Sequence, residues 1–368
     1  MTTFSHPEPS DHGDYGDHVS DVRESLEIQA VGCRRLGSVQ YADLLDAMVL
    51  DHDRGGPIST LLAGRTDRPV HDALPLRLLG AVHHAALDGR APELAARFPS
   101  CGGDGGTISL TTVYDTIARL GSFVNDALGR GVQTNEVGRS LCHLAVANWL
   151  PSLGIDEFDW WEVGASAGLN LSFDRYAADT GHGILGHEGS SLTFPPSMFT
   201  TPPHVSEPAR CIERLGCDPD PVDLERDSVR LESFVWPDQV ERRARLLAAI
   251  AITRPLHHRV DRASADEWIA DRLVDSSVSS DSFDRPAVVF HSIVWQYMAP
   301  EVRARFRESL VSAGSRGRPL IWARMEPAGE KADLRANVWS NGTVSRHHLA
   351  DVGYHGQNFD WLERPLRD

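Results

Sequence analysis

The sequence predicts an α/β protein: a mostly parallel sheet covered by helices and ending in an antiparallel hairpin, preceded by an all-helical domain. Three observations predict it. From Ile28 to about Leu153 apolar residues recur three and four apart, as in "YADLLDAMVLDH" and "LPLRLLGAVHHAALDG", with no alternating strand. After Pro151 short apolar runs alternate with helical patterns, which implies a parallel sheet with both faces covered. Near the end, Asn341-Gly342 separates two alternating runs, the strongest short hairpin signal available.

Taken in order, residues 1 to 25 read as a disordered, acidic tail. His6, His12 and His18 alternate there with Asp11, Asp14 and Asp17, a pattern open to weak chelation or to plain solvation. The helical domain spans 26 to 155. "APELAARF", "VYDTIARLGSFVNDAL" and "VGRSLCHLAVANWL" continue its periodicity, and "RGGPIS" and "SCGGDGG" break it. The α/β domain spans 156 to 368. "FDWWEV" is its first strand and runs into a glycine-bearing loop and a helix. Residues from about 177 to 230 are poorly patterned and read as an insertion. "WPDQVERRARLLAAIAI" is a helix; "HHRVDRASADEWIADRL" is a strand, a loop and a helix. "PAVVFHSIVWQYM" is a buried strand opening into a turn, "PEVRARFRESLVSAG" an amphipathic helix, and "RPLIWARME" another strand.

Composition narrows the partners. The formal net charge of −16 over 368 residues repels phosphate backbones and anionic lipid, so neither nucleic acid nor membrane is expected. The start of the chain lacks the basic and apolar stretches of a secretory signal, and a cytoplasmic location is expected. The five cysteines are scattered without C-x-x-C, as suits reduced thiols, and no metal site is expected. Lys331 is the single lysine, hence the single candidate for Schiff-base chemistry. The oligomeric state stays open.

"EVGASAGLNL", Glu162 to Leu171, is the one active-site signature, and it has two readings. Gly164 to Gly168 fits G-x-S-x-G, the turn that presents a serine nucleophile, here Ser166. Asp333 or Asp351 would then be the acid, and His347, His348 or His355 the base. Against this serine esterase, the chain before the motif is helical, with no strands to precede the elbow. The alternative is a cradle in which small residues let backbone approach a cofactor. The second and third positions of a dinucleotide G-x-G-x-x-G are Ser166 and Leu169, which disfavours a nicotinamide cofactor.

From Phe158 onward the chain resembles class I S-adenosylmethionine-dependent methyltransferases. "WWEVGASAGLNL" is similar to their first motif, "VDRASADEW" to the third-strand segment that meets adenine, "AVVFHSIVWQYMAPEVRARFRESLVSAG" to the fourth strand with its turn and helix, and "RPLIWARMEP" to the fifth strand. The resemblance implies a Rossmann-like methyltransferase fold and S-adenosylmethionine as cofactor. Glu162, Gly164, Ala165, Ser166 and Gly168 would hold its amino-acid part, Ser264 and Ala265 its adenine, and Asp218, with Asp220 as the alternative in "GCDPDPVD", its ribose. His291 as general base, with Ser292 and Glu326, would form the catalytic end. Asn135, Glu136, Trp295, Tyr297 and Arg324 would meet a small-molecule substrate, with Asn358 a weaker candidate. Most of the chain also resembles a bacterial family of uncharacterised proteins, through "VQTNEVGR", "VGASAGLNL", "WPDQVERRARL" and "FHSIVWQY". A methyltransferase-shaped protein that binds a ligand or partner without catalysis is the remaining alternative.

Overall fold

The computed structural model describes residues 21–274 and 285–366. The chain forms two compact units, and each is assembled from separated stretches. Among the described residues, one joins 21–135 to Val222–Ile250; the other joins Glu136–Pro221 to 251–274 and 285–366. The division therefore falls at 135 and not at 155. The expected tail is also shorter than 25 residues: a helix runs Val22–Arg35, capped by Asp21, whose side chain accepts from Glu24 N. His6, His12 and His18 lie outside the described residues.

The first unit is helical, with helices Val22–Arg35, Val39–Asp53, Leu74–Leu87, Leu110–Arg119 and Gly121–Leu128 as its longer members. "VYDTIARLGSFVNDAL" thus forms two helices, broken at Leu120. Its core gathers Leu26, Tyr41, Met48, Leu78, Val82, Phe98 and Val124, and Trp236 joins from the second stretch. Polar groups fix that second stretch in place. Ser38 Oγ donates to Asp238 at 2.5 Å, and Ser100 N donates to Pro237 O at 2.9 Å. Buried His83 donates from Nδ1 to Ser233 O at 3.0 Å and accepts from Ser100 Oγ at 2.7 Å.

The second unit is built on a nine-stranded sheet. Its strands are β1 (Glu157–Val163), β5 (Phe199–Thr201), β6 (Arg210–Asp218), β7 (Val260–Arg262), β8 (Ala287–Ser292), β9 (Leu320–Ala328), β10 (Lys331–Ser340), β11 (Thr343–Val352) and β12 (Phe359–Leu366). β2 (Ala177–Asp179), β3 (Ile184–Gly186) and β4 (Thr193–Phe194) make a separate small sheet. The order is β5-β12-β11-β10-β9-β8-β1-β6-β7. β7, β6, β1, β8 and β9 run parallel, β10 to β12 form an antiparallel meander, and β5 pairs parallel with β12.

Local sequence explains most of this. β1 is buried from Phe158 to Val163, as a central parallel strand must be, and carries Asp159 and Glu162 as buried charged residues. Its alternate residues serve different faces. Trp161 and Val163 join Trp322 and Trp339 in a core with Phe306 and Leu310 of the helix Pro300–Ser315. Trp160, facing the other way, packs on His143 of the helix Ser140–Trp149 and on Phe173. The hairpin forms as expected: Asn341 and Gly342 take φ of +50° and +77°, and Ser340 pairs with Thr343.

Two expectations change. The stretch 177–230 is no single insertion, because it contains β6, an integral strand beside β1, and from Val222 it belongs to the helical unit. The glycine loop is followed by a seven-residue 3-10 run, Leu169–Arg175, in place of a full helix.

Candidate functional site

The parallel strands, numbered by their order of appearance in the sheet, follow 3-2-1-4-5, so the winding reverses between β1 and β8. In open α/β sheets, ligands bind outside the carboxyl ends of the strands at such a switch point. The glycine turn after β1 and the loop after β8 meet there. Gly164 has φ +73°, and a Cβ on it would stand 2.3 Å from Val294 Cγ2. Gly168 has φ +74°, with Val260 Cγ2 3.0 Å from the same hypothetical atom. Two residues with side chains adopt the left-handed region in these loops: Ser166 at φ +54° and the β-branched Ile293 at φ +53°. Such strain clusters at functional sites and persists only where surrounding contacts enforce it.

Those contacts are visible. Asp218, at the end of β6, accepts from Ser166 N at 3.0 Å through Oδ2 and from Asp220 N at 2.8 Å through Oδ1. Gly164 N and Ala165 N both donate to Cys217 O, at 2.8 and 3.0 Å. Cys217 itself is buried, and burial pushes its thiol up to about 12, which keeps it protonated at neutral pH. Ile293 N donates to Met325 O at 2.9 Å. Ala165 does not line an open seat, because it is fully buried with its methyl on Gly216. Ala265 is likewise a core residue, while Ser264 Oγ donates to Asp266 in the first turn of the helix Ala265–Val274. The loop they share reaches the site edge, since Ala263 N donates to Asp218 O at 3.2 Å.

His291, Glu326 and Trp322 form one buried constellation. His291 Nδ1 donates to Glu326 Oε1 at 2.6 Å, and its Nε2 accepts from Trp322 Nε1 at 3.0 Å. Indole N–H only donates, so the arrangement fixes the Nδ1–H tautomer. Both nitrogens are engaged and the ring has no exposure, which leaves no lone pair for the expected general base. Glu326 also accepts from Val294 N at 3.1 Å and Trp295 N at 3.3 Å, and so braces the loop after β8. Arg324 turns elsewhere, to Asn337 Oδ1 at 3.2 Å and over the Trp322 ring at 4.3 Å. Trp295 stacks on His291 with centroids 5.6 Å apart, whereas Tyr297 is 54% exposed. Ser292 is buried, and its carbonyl accepts from Arg139 Nη1 at 3.4 Å.

Behind the glycine turn lies a cluster that the sequence did not disclose. Glu162 and His143 are buried, with Oε2 and Nε2 3.4 Å apart, yet the angles make no hydrogen bond and neither atom has a partner among the described residues. His143 Nδ1 is 3.3 Å from Arg139 O. A carbonyl can only accept, so Nδ1 carries a proton, and Nε2 faces the Glu162 carboxylate within ion-pair distance. Asn170 Oδ1 is a third buried acceptor without a partner among the described residues, and Asn170 Nδ2 donates to Glu136 O at 3.3 Å. Glu136 thus enters this neighbourhood through its backbone, and its Oε1 accepts from Gly138 N at 3.1 Å. Asn135, at φ +28°, ends the first stretch of the other unit. Asn358, at φ +52°, precedes β12. The available signal for His143 was a lone histidine in "SLCHLAVANW", a helix buried at every residue.

Of the bases named for the serine-nucleophile reading, His355 lies in the turn between β11 and β12, its carbonyl beside Gly138. His347 and His348 lie on β11, four strands from β1, and strand spacing puts that at about 19 Å. Asp333, His348 and Asp351 do come together, with possible ligand atoms within 4.8 Å of one another, but Arg335 Nη2 already sits 2.5 Å from Asp333 Oδ2.

Fold and site together define an α/β protein with a large, mostly parallel sheet, a helical N-terminal region and a strained glycine turn at the switch point. The chain belongs to the family described as "Uncharacterized protein conserved in bacteria (DUF2332)", whose model matches residues 23–361. No curated protein and no solved structure matches it. Among the described residues, no helix is long and apolar enough to cross a membrane.

Proposed function

We propose that the switch-point edge binds S-adenosylmethionine and that the protein is a methyltransferase acting on a small molecule. The observation that carries this reading is the carboxylate oxygen of Glu162, buried behind the Gly164–Gly168 turn, 3.4 Å from His143 Nε2 and without a hydrogen bond among the described residues. Buried polar atoms are almost always paired, and an exception asks for a missing donor. An ammonium, the terminal group of the cofactor's amino-acid part, supplies donors of the kind that Glu162 Oε2 lacks. Gly164 and Gly168 keep the turn free of side chains. Asp218, at the end of the second parallel strand, occupies the place where dinucleotide folds keep a ribose-binding acid. The short 3-10 run after the turn offers no long helix N-terminus for phosphate, and this cofactor has none.

When bound, the cofactor supplies a methyl group on a sulfonium, which is already a good leaving group. The work left to the chain is to orient the acceptor and exclude water. Glu326 and His291 support this by fixing the loop after β8, as positioning residues.

The test is a thermal shift with S-adenosylmethionine and with its demethylated product, followed by labelled-methyl transfer over a panel of small metabolites. Ligand at about 100 times its dissociation constant stabilises by ~2.7 kcal/mol, a shift of several degrees. No shift with either compound overturns the reading. A second reading, binding without turnover, is favoured by the double engagement of His291; a shift without methyl transfer to any acceptor supports it.

A further inference from the structure

A row of acids crosses the sheet from β9 to β12. Glu326 pairs with Asp333, Asp333 with Asp351, and Asp351 with Asp360, each directly opposite the next. Like charges in that register destabilise a sheet unless something answers them. Glu326 is answered by His291 Nδ1–H and by two backbone N–H groups. Asp333 and Asp351 meet instead around His348, and a β-bulge brings that imidazole there. Leu334 pairs with Ala350 and Arg335 with His348, so Leu349 is an extra residue on β11. Residues three apart on a regular strand point to opposite faces; the extra residue turns His348 to the face of Asp351.

His348 Nε2 stands 2.9 Å from Asp351 Oδ1 and 3.8 Å from Asp333 Oδ1. This nitrogen is closed to solvent, yet it makes no hydrogen bond among the described residues: Asp351 is near enough but at the wrong angle. Arg335 covers Asp333 Oδ2 and leaves Oδ1 toward the imidazole. A buried nitrogen aimed between two carboxylate oxygens, with no proton shared, has the form of a metal ligand. Zinc bonds histidine nitrogen and aspartate oxygen at about 2.0–2.2 Å, so two such donors at the tetrahedral angle stand about 3.4 Å apart. The separations of 2.9 and 3.8 Å fall on either side of that value. One imidazole beside two carboxylates suits a borderline divalent ion better than magnesium or calcium, which take oxygen shells. None of the three ligands is a cysteine, so the spacing of the thiols, which predicted no metal site, does not bear on them.

We propose that Asp333 Oδ1, His348 Nε2 and Asp351 Oδ1 bind a divalent transition-metal ion, zinc by the fit of the ligands, which ties β10 to β11 across the bulge. The test uses the full chain, stripped of metal by a chelator, with His6, His12 and His18 replaced by alanine so that they cannot hold the probe. Zinc chloride is titrated into it at neutral pH by calorimetry. One saturable equivalent with Kd below about 10 µM is expected, together with a higher Tm in the presence of zinc. His348→Ala and Asp351→Asn should each weaken binding at least tenfold and abolish the rise in Tm. Circular dichroism checks their folding, and Asp351→Asn, which keeps the side chain's shape, decides the matter if His348→Ala does not fold. Asp360→Asn removes a carboxylate of the same row outside the ligand set, and should leave the affinity unchanged. The absence of saturable zinc binding below roughly 1 mM overturns the proposal. Equal losses from Asp360→Asn and Asp351→Asn overturn it as well, since they mark a diffuse acidic field. Equal affinity of the starting chain and both ligand variants does the same, marking an adventitious ion only.

Discussion

Glu326 accepts a 2.6 Å hydrogen bond from His291 Nδ1 and, with the same carboxylate, the backbone N–H groups of Val294 and Trp295. One buried side chain on β9 therefore holds both a residue of β8 and the loop that follows it. Its removal strands several donors at once. Glu326→Ala should cost about 3 kcal/mol, the range for breaking a buried charged partnership, and Glu326→Gln about half as much because an amide oxygen still accepts. Urea-unfolding midpoints measure both, and equal losses for the two variants would contradict the account.

Gly164 and Val294 predict a compensating pair. Gly164→Ala places a methyl 2.3 Å from Val294 Cγ2 at φ +73°, so overpacking adds to backbone strain. A loss of ~2–4 kcal/mol is expected. Val294→Ala on that background should recover the overpacking part but not the backbone part, and a double-mutant cycle reads the coupling. Additive losses would mean that the loops do not touch as described.

Glu162→Gln separates stability from binding. The amide keeps an acceptor and adds a donor beside His143 Nε2, so the stability of the unliganded protein should change by no more than about 1 kcal/mol. The same change removes the carboxylate proposed to meet an ammonium, so the thermal shift with S-adenosylmethionine should vanish. A destabilised variant with an intact ligand shift would reverse the assignment of this residue.

Stability should fall with acid in a defined window. Burial pushes His83 down to about 4, and burial likewise pushes His258 down to about 4. The unfolded chain protonates at about 6.5 and the folded one only near 4, so the unfolded state binds the extra proton first. The contribution is complete above pH 6.5, shrinks as pH falls, and is lost below about 4. For fully buried His83 it is on the order of 3 kcal/mol; for partly exposed His258 it is smaller. His83→Gln should flatten the dependence of unfolding free energy on pH across that window, measured against wild type.

The sequence made some of this legible because the signals were local. β1 and β8 carry apolar runs, Trp160-Trp161 and Ala287 to Phe290, so their burial shows in composition, and Asn341-Gly342 dictates its hairpin through backbone geometry alone. β6 was hidden because "RCIERLGCD" scatters charges among its apolar residues and is a strand through the ladders that β1 and β7 offer it. Arg214, for instance, stays polar within the sheet by bonding Asp174. Asp218 came only from the resemblance, as a ribose-binding acid, and its grip on Ser166 N was not legible. The general-base role of His291 failed for a reason no spacing reveals: Trp322, on the neighbouring strand, takes the second nitrogen. His143 and Asn170 belong to a helix and a 3-10 run that only tertiary packing brings behind β1.

The helical unit's assembly from separated stretches also shapes how the chain matures. Ser38 and Asp238 are 200 positions apart, and Trp236 belongs to a core otherwise made before residue 135. During synthesis that core waits with a gap until some 250 residues have left the ribosome, while β1 and its neighbours emerge in between. Long-range closure of this kind slows folding and prolongs exposure of apolar surface. A fragment ending at Asn135 would therefore be an incomplete body prone to self-association, and excision of the helical unit as a working piece requires Val222–Ile250 to be grafted back onto it.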